Sequence, residues 1–129
     1  MSAKTLAVAG ALAAATALLP AGTAAAQIAP VHAVLYLTVH TATGHRDATL
    51  ECAPDLGSHP DPTGACARLS QVNGNFSALN VNPDAFCTLE YDPVVVTAHG
   101  RWGSRFVWYA KRFSNPCALR AQTGAVFAL

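Results

Sequence analysis

Apolar and polar side chains alternate along several short stretches of this chain, a pattern typical of β-strands. In residues 33–39, Leu35, Leu37 and Val39 share one face. The opposite face, with Tyr36 at its centre, is also partly apolar, so we expect it to be covered as well, for instance by another subunit. Residues 47–52 are a second, shorter strand candidate.

The C-terminal half contains a β-branched run, Val94–Thr97, followed by an aromatic-rich stretch, Arg105–Phe113. Together they predict an antiparallel hairpin that turns at His99-Gly100. Phe106, Trp108, Tyr109 and Phe113 are expected to pack in the core and sheet rather than to form a ligand platform.

Two short helices are predicted beside these strands. The first covers Ala65–Val72 and stops at Asn73-Gly74, and the second starts at Ser114-Asn115-Pro116, where an amide cap precedes an early proline. The chain is expected to close with an apolar strand over Gly124–Leu129. Strands and helices do not alternate regularly, so the predicted class is an α+β antiparallel sandwich.

The N-terminus has the features of a secretory signal peptide. A single charge at Lys4 precedes the apolar run Leu6–Leu19, and small residues follow at Ala24–Ala26. We therefore expect residues 1–26 to be removed and residues 27–129 to form one extracellular domain. A buried N-terminal helix is the alternative. The apolar run is too short to span a bilayer comfortably, so no membrane segment is predicted.

Charge excludes some partner classes. Without Lys4, seven basic side chains balance seven acidic ones, compared with a net charge of +1 for the whole chain. The mature domain therefore has no basic patch suited to nucleic acid or to an anionic membrane.

All four cysteines, Cys52, Cys66, Cys87 and Cys117, lie in the predicted mature domain. An even number behind a signal peptide predicts two disulfides. Zinc is the competing use, but zinc ligands usually include pairs two to four residues apart, and these cysteines form none. No metal or cofactor is therefore predicted. Three disulfide pairings remain possible; the sequential one closes the shortest loops, but spacing alone does not choose.

The segment from Phe86 to Pro93 differs from its surroundings. Cys87 anchors its start, Leu89 lies two residues later, and Asp92-Pro93 stiffens its exit because proline restricts both its own backbone and the preceding residue. An extended loop pinned at both ends, with one apolar side chain at its crest, is what a protease cleft accepts as substrate.

Motifs along nearly the whole mature chain resemble those of the Streptomyces-type subtilisin inhibitors. They are Leu37-Thr38-Val39, Thr49-Leu50-Glu51-Cys52-Ala53-Pro54, His59-Pro60, Ala65-Cys66-Ala67, Cys87-x-x-x-Tyr91-Asp92-Pro93-Val94, Phe113-Ser114-Asn115-x-Cys117 and Val126-Phe127. The resemblance implies sequential disulfides and a five-stranded antiparallel sheet with two helices. It also implies a secreted homodimer that binds two protease molecules, with dimer contacts near Tyr36.

The resemblance also implies roles for the loop residues. Leu89 matches the P1 residue, whose side chain enters the primary pocket of the protease, and Leu89–Glu90 is the reactive-site bond. The protease-contacting loop further includes Phe86 as P4, Cys87 as P3, Thr88 as P2, and Tyr91. Asn115 matches a residue that supports this loop through hydrogen bonds. Two of these residues depart from familiar members: Thr88 stands where proline is common, and Leu89 where Met, Lys or Arg often sits.

These roles predict which serine proteases the protein inhibits. An apolar P1 residue favours subtilisin-like proteases, with weaker inhibition of chymotrypsin and little of trypsin, whose pocket carries a buried carboxylate.

Two rival classes of protein were weighed against an inhibitor. An enzyme is not expected, because no motif pairs a nucleophile with a base. The alternative is a secreted, disulfide-stabilised binding module that does not inhibit proteases and exposes an aromatic platform.

Overall fold

Four antiparallel strands form a single sheet in the spatial order β2-β1-β3-β4 in this computed structural model, which describes residues 7, 9–23 and 29–129. The strands are β1 (Ala33–Thr41), β2 (Gly44–Cys52), β3 (Val94–Trp102) and β4 (Arg105–Phe113). The helices are α1 (Pro62–Gln71) and α2 (Pro116–Thr123), with short 3-10 helices at Phe76–Ala78 and Gly124–Phe127. Every neighbouring pair of strands is antiparallel.

The expected five-stranded sheet is wrong, because the sheet has four strands and the C-terminal segment is helical. Gly124, at φ 55°, ends α2 in a left-handed conformation that favours glycine, and a 3-10 turn follows. The carbonyl of Val126 accepts a hydrogen bond from the His59 ring at 3.0 Å. Val126 and Phe127 reach the core from this turn, so their burial requires no strand.

The predicted hairpin exists, but its turn lies at Gly103-Ser104 rather than at His99-Gly100. Gly100 lies inside β3, opposite Leu35 of β1. A Cβ atom there would collide with the carbonyl oxygen of Val34. Glycine at this position therefore permits close approach of two strands, a role that sequence alone does not distinguish from a turn.

The core lies between one face of the sheet and the helices. Leu35, Leu37, Leu50 and Val96 point to this face and are fully buried. Helix α1 contacts β2 and the C-terminal 3-10 helix, while α2 contacts β4. Helix α1 begins three residues earlier than predicted, because Asp61 caps it by accepting from Gly64 N at 2.9 Å.

The opposite face of the sheet, called the outer face below, carries exposed aromatic side chains. Phe106 and Trp108 are 78% and 79% exposed, so the expectation that they pack in the core is wrong, whereas Tyr109 and Phe113 are buried as expected. The His99 ring lies between Tyr36 and Trp108, with ring centroids 5.3 and 6.0 Å away.

Two disulfides brace the fold, Cys52–Cys66 and Cys87–Cys117, each with Cα atoms 5.7 Å apart. This is the sequential pairing. Cys52–Cys66 joins the end of β2 to α1, and Cys87–Cys117 joins the loop to the first turn of α2. Within the predicted leader, residues 9–23 have no helix or strand and are exposed, while the expected cleavage site at Ala26–Gln27 lies outside the described residues. No helix in the described part of the chain is both long and apolar enough to cross a membrane.

Candidate functional site

The segment Phe86–Tyr91 has no helix or strand and presents three large apolar side chains to solvent. The Leu89 side chain is 100% exposed, and Phe86 and Tyr91 are 91% and 73% exposed. Exposed apolar side chains grouped on one loop mark a surface that binds a partner. The prediction that Leu89 lies at an exposed crest agrees with this geometry.

The buried carboxamide of Asn115 supports the crest from beneath. Its Nδ2 atom donates to the carbonyl of Thr88 at 3.0 Å and to the carbonyl of Glu90 at 2.9 Å. Its Oδ1 atom accepts from Ala118 N at 2.8 Å and so caps α2. One side chain therefore holds the Thr88–Leu89 and Glu90–Tyr91 peptide groups, which flank the Leu89–Glu90 bond, and attaches them to a helix N-terminus.

The remaining attachments run along α2. Cys87 is bonded to Cys117, and Asp92 N donates to the carbonyl of Ser114 at 2.9 Å. At the loop entrance, Val81 N and Asn82 N donate to the carbonyls of Gln122 and Ala121 at 3.1 and 2.8 Å. The loop is thus held at its entrance, centre and exit by one short helix and its cap.

Sequence reasoning found some of these supports and missed others. Asn115 was visible as an amide before an early proline, and the disulfide partners were visible as cysteines. The accepting carbonyls of Ser114, Ala121 and Gln122 were not foreseen, because every residue has a carbonyl and its position depends on the fold.

Two clusters outside the loop could suggest other chemistry. Ligand atoms of Cys52, Asp55 and Cys66 lie within 4.8 Å of one another, but both sulfurs belong to a disulfide and are not thiolate ligands. Buried His59 accepts from Asp61 N at 2.9 Å and therefore donates through Nε2 to Val126. Both of its ring nitrogens hold the fold together rather than serving as a free base.

These features define a class: a small, disulfide-braced α+β protein that presents one exposed loop held by a disulfide and hydrogen bonds. The chain belongs to the subtilisin inhibitor-like family, whose model matches residues 29–115. The resemblance noted in the sequence is therefore confirmed. This family consists of protease inhibitors rather than enzymes, which also confirms the expectation that the chain is not an enzyme.

Individual relatives agree with this assignment. The chain is 48% identical over 92 residues to subtilisin inhibitor-like protein 5 of Streptomyces fradiae, covering 70% of this chain and 86% of that protein. It is 42% identical over 127 residues to a probable subtilase-type protease inhibitor of Streptomyces avermitilis, covering 94% and 88%.

A solved structure has a similar fold. It is Streptomyces caespitosus sermetstatin in complex with Bacillus licheniformis subtilisin, with TM-score 0.60 and 32% identity. The match covers 76% of this chain and 99% of sermetstatin.

Proposed function

We propose that this protein is a secreted inhibitor of subtilisin-like serine proteases, with Leu89 as P1 and Leu89–Glu90 as the reactive-site bond. The observation that carries the proposal is the hydrogen bonding of Asn115 to the carbonyls on both sides of a completely exposed Leu89. Such preorganisation lowers the entropy cost of ordering a loop on binding. The complex of related sermetstatin with subtilisin supports the choice of target class.

The proposed mechanism is substrate-like binding without release. The extended loop pairs with the edges of the protease cleft through main-chain hydrogen bonds, and Leu89 fills the primary pocket. Burying such a side chain contributes about 1.5–3 kcal/mol. If the protease cuts Leu89–Glu90, Cys87–Cys117 and the Asp92–Ser114 bond keep both new ends in place, so religation competes with product release.

The apolar side chains set the proposed specificity. Leu89 suits a large apolar pocket, and Phe86 as P4 suits an apolar outer pocket. Trypsin has a carboxylate in its primary pocket, which leucine would bury without a partner, at a large free-energy cost. The expected order of inhibition is therefore subtilisin, then chymotrypsin, then trypsin.

Exchanging the crest residue tests this proposal. Leu89→Lys is expected to turn the protein into a trypsin inhibitor and to weaken its inhibition of subtilisin, as measured by inhibition constants for both enzymes. Leu56→Lys is the matched control, since Leu56 is 53% exposed but lies outside the loop, and its constants should equal those of the wild type. Unchanged constants for Leu89→Lys would remove Leu89 from the P1 position.

The outer face is the proposed site of homodimerisation. Tyr36, Phe106 and Trp108 are exposed there, and Arg101 lies 4.6 Å from the centroid of the Phe106 ring. Covering such a patch with a second copy removes apolar surface from water. Tyr36, Phe106 and Trp108 lie outside the Phe86–Tyr91 loop, so we expect each copy to bind one protease. This aromatic face also fits the alternative binding module, which predicts ligand binding there and no protease complex.

Secretion belongs to the same proposal. The charge at Lys4, the apolar run and the small residues before Gln27 support cleavage after Ala26, which leaves a mature protein that starts at Gln27. N-terminal sequencing of the protein from culture medium should read from Gln27, and an intact Met1 would contradict this.

A further inference from the structure

His40 and His45 form an imidazole pair at the turn that joins β1 to β2, outside the protease-binding loop. They are direct cross-strand partners, so their side chains leave the same face of the sheet. Both residues are exposed, and their ring centroids lie 5.7 Å apart with planes inclined by 35°. The pair lies on the outer face beside the β1–β2 turn, and the proposed protease binding does not use it.

This separation suits one bound transition-metal ion. A zinc–imidazole bond is about 2.0–2.1 Å long, so two imidazoles that share an ion have centroids roughly 5–6 Å apart. The rings are already close to that distance, and both backbones are fixed by the hairpin. Both side chains are exposed, so burial does not prevent their rings from rotating toward one ion.

Asp47 is the carboxylate nearest to His45 on this hairpin, at an ion-pair distance. It lies two residues after His45 on the same strand face, and its Oδ2 atom is 3.3 Å from Nε2 of His45. A carboxylate that accepts from one imidazole nitrogen fixes the tautomer and leaves the other nitrogen free to bind metal. Two imidazoles and a nearby carboxylate form a donor set that suits Zn²⁺, Cu²⁺ or Ni²⁺ rather than Ca²⁺ or Mg²⁺.

We propose that His40 and His45 chelate a divalent late transition-metal ion, with Asp47 positioning His45. The two histidines supply two ligands, and water completes the coordination. Binding joins neighbouring strands across their turn and so stabilises the hairpin. Its three residues lie on the β1–β2 hairpin rather than on the Phe86–Tyr91 loop, so the proposal does not rest on protease inhibition.

Calorimetric titration of the mature protein with Zn²⁺ tests the site. We expect saturable binding of one Zn²⁺ per chain, abolished by His40→Ala and by His45→Ala. Asp47→Asn should lower the affinity about 10–100-fold, as loss of an outer-sphere partner does. His32→Ala is the matched control: it removes an exposed histidine elsewhere and should leave the affinity unchanged.

Proton NMR of the wild type provides a second readout that needs no variant. Zn²⁺ should shift the imidazole resonances of His40 and His45 while leaving those of His59 and His99 unchanged, and Ca²⁺ should shift none of them. The proposal is overturned by the absence of saturable Zn²⁺ binding, by His40→Ala and His45→Ala variants that bind as the wild type does, or by shifts confined to other histidines.

Discussion

The Asn115 side chain has two structural roles, as a helix cap and as a support for the loop. Its oxygen caps α2, and its two N–H groups reach the carbonyls of Thr88 and Glu90. The sequence predicted the cap, because an amide before proline is a helix-start signal. From the residues alone nothing predicts the two loop contacts, since they join positions 25 and 27 residues away; only the family resemblance suggested them.

The two roles of Asn115 can be separated by substitution. Asn115→Ser retains a good helix cap but lacks the reach and the donors for both carbonyls, whereas Asn115→Ala loses the cap as well. We expect Asn115→Ala to be less stable than Asn115→Ser by about 1 kcal/mol in urea unfolding. Both variants should inhibit subtilisin more weakly than the wild type and be cut faster. If Asn115→Ser inhibited subtilisin as strongly as the wild type and only the less stable Asn115→Ala were weaker, the two hydrogen bonds to the loop would not be what inhibition requires.

Tyr109 illustrates an unsatisfied group in the core. Its hydroxyl is buried with no hydrogen-bond partner among the described residues, and desolvation raises its pKa above the ordinary 10.0. Above the pKa of the unfolded chain, the unfolded state loses this proton while the folded state keeps it. The contribution of Tyr109 to stability is therefore full below about pH 10 and declines as pH rises toward the folded-state pKa.

Tyr109→Phe should remove that alkaline decline. At neutral pH its stability should lie within about 1 kcal/mol of the wild type, or above it, because the lost hydroxyl had no partner. Urea unfolding of both proteins at neutral and alkaline pH measures the effect, with the shared titration of other groups cancelling in the difference. Parallel pH profiles for the two proteins would contradict the assignment.

At the scale of elements, the sequence was most informative where pattern and propensity agree. The alternating segment, the β-branched run and the aromatic-rich stretch were each predicted as strands, and they form parts of β1, β3 and β4. Asn73-Gly74 follows the end of α1, as predicted, with φ values of 51° and 70°. The predictions failed where long-range packing decides. The C-terminal segment is apolar enough for a strand, but it forms a 3-10 helix after Gly124, and the Val126 carbonyl bonds to the distant His59 ring.

Gly100 gives a test of strand packing. Its φ of 145° almost equals the 147° of Gly44, so alanine is strained at either position, by about 1–3 kcal/mol. Only at Gly100 would the new Cβ also meet backbone atoms, those of Val34 and Leu35, whereas Gly44 faces open space. Thermal or urea unfolding should show Gly100→Ala to be less stable than Gly44→Ala by about a further 1–3 kcal/mol. Equal losses of stability for the two variants would mean that β1 and β3 accommodate the extra Cβ atom at no free-energy cost.

At the scale of the whole molecule, the sheet divides two surfaces. The helices cover one face, and the outer face carries Tyr36 and Trp108 in the open. The partly apolar second face of β1 was evident in the sequence and prompted the idea of a second subunit. The exposure of Trp108 and Phe106 was not foreseen, because an aromatic-rich strand looks the same whether its second face is buried or not.

Charge at the outer face should separate the proposed dimer. Trp108→Glu would place a carboxylate from each copy among the aromatic side chains of the proposed interface, so we expect monomers in sedimentation experiments at micromolar concentration. Phe86→Glu is the control, because Phe86 is also exposed but lies on the loop, and it should leave the dimer intact. A wild-type protein that sediments only as a monomer would contradict the dimer, while the loop mechanism would remain.

The role of Leu89–Glu90 as the reactive-site bond is tested most directly by incubating the mature protein with subtilisin and locating any cut by mass spectrometry. We expect a stoichiometric, lasting complex in which the inhibitor is intact or carries one cut, between Leu89 and Glu90, with both fragments held by Cys87–Cys117. Progressive cleavage at several sites with no loss of subtilisin activity, or a single cut at another bond, would contradict it.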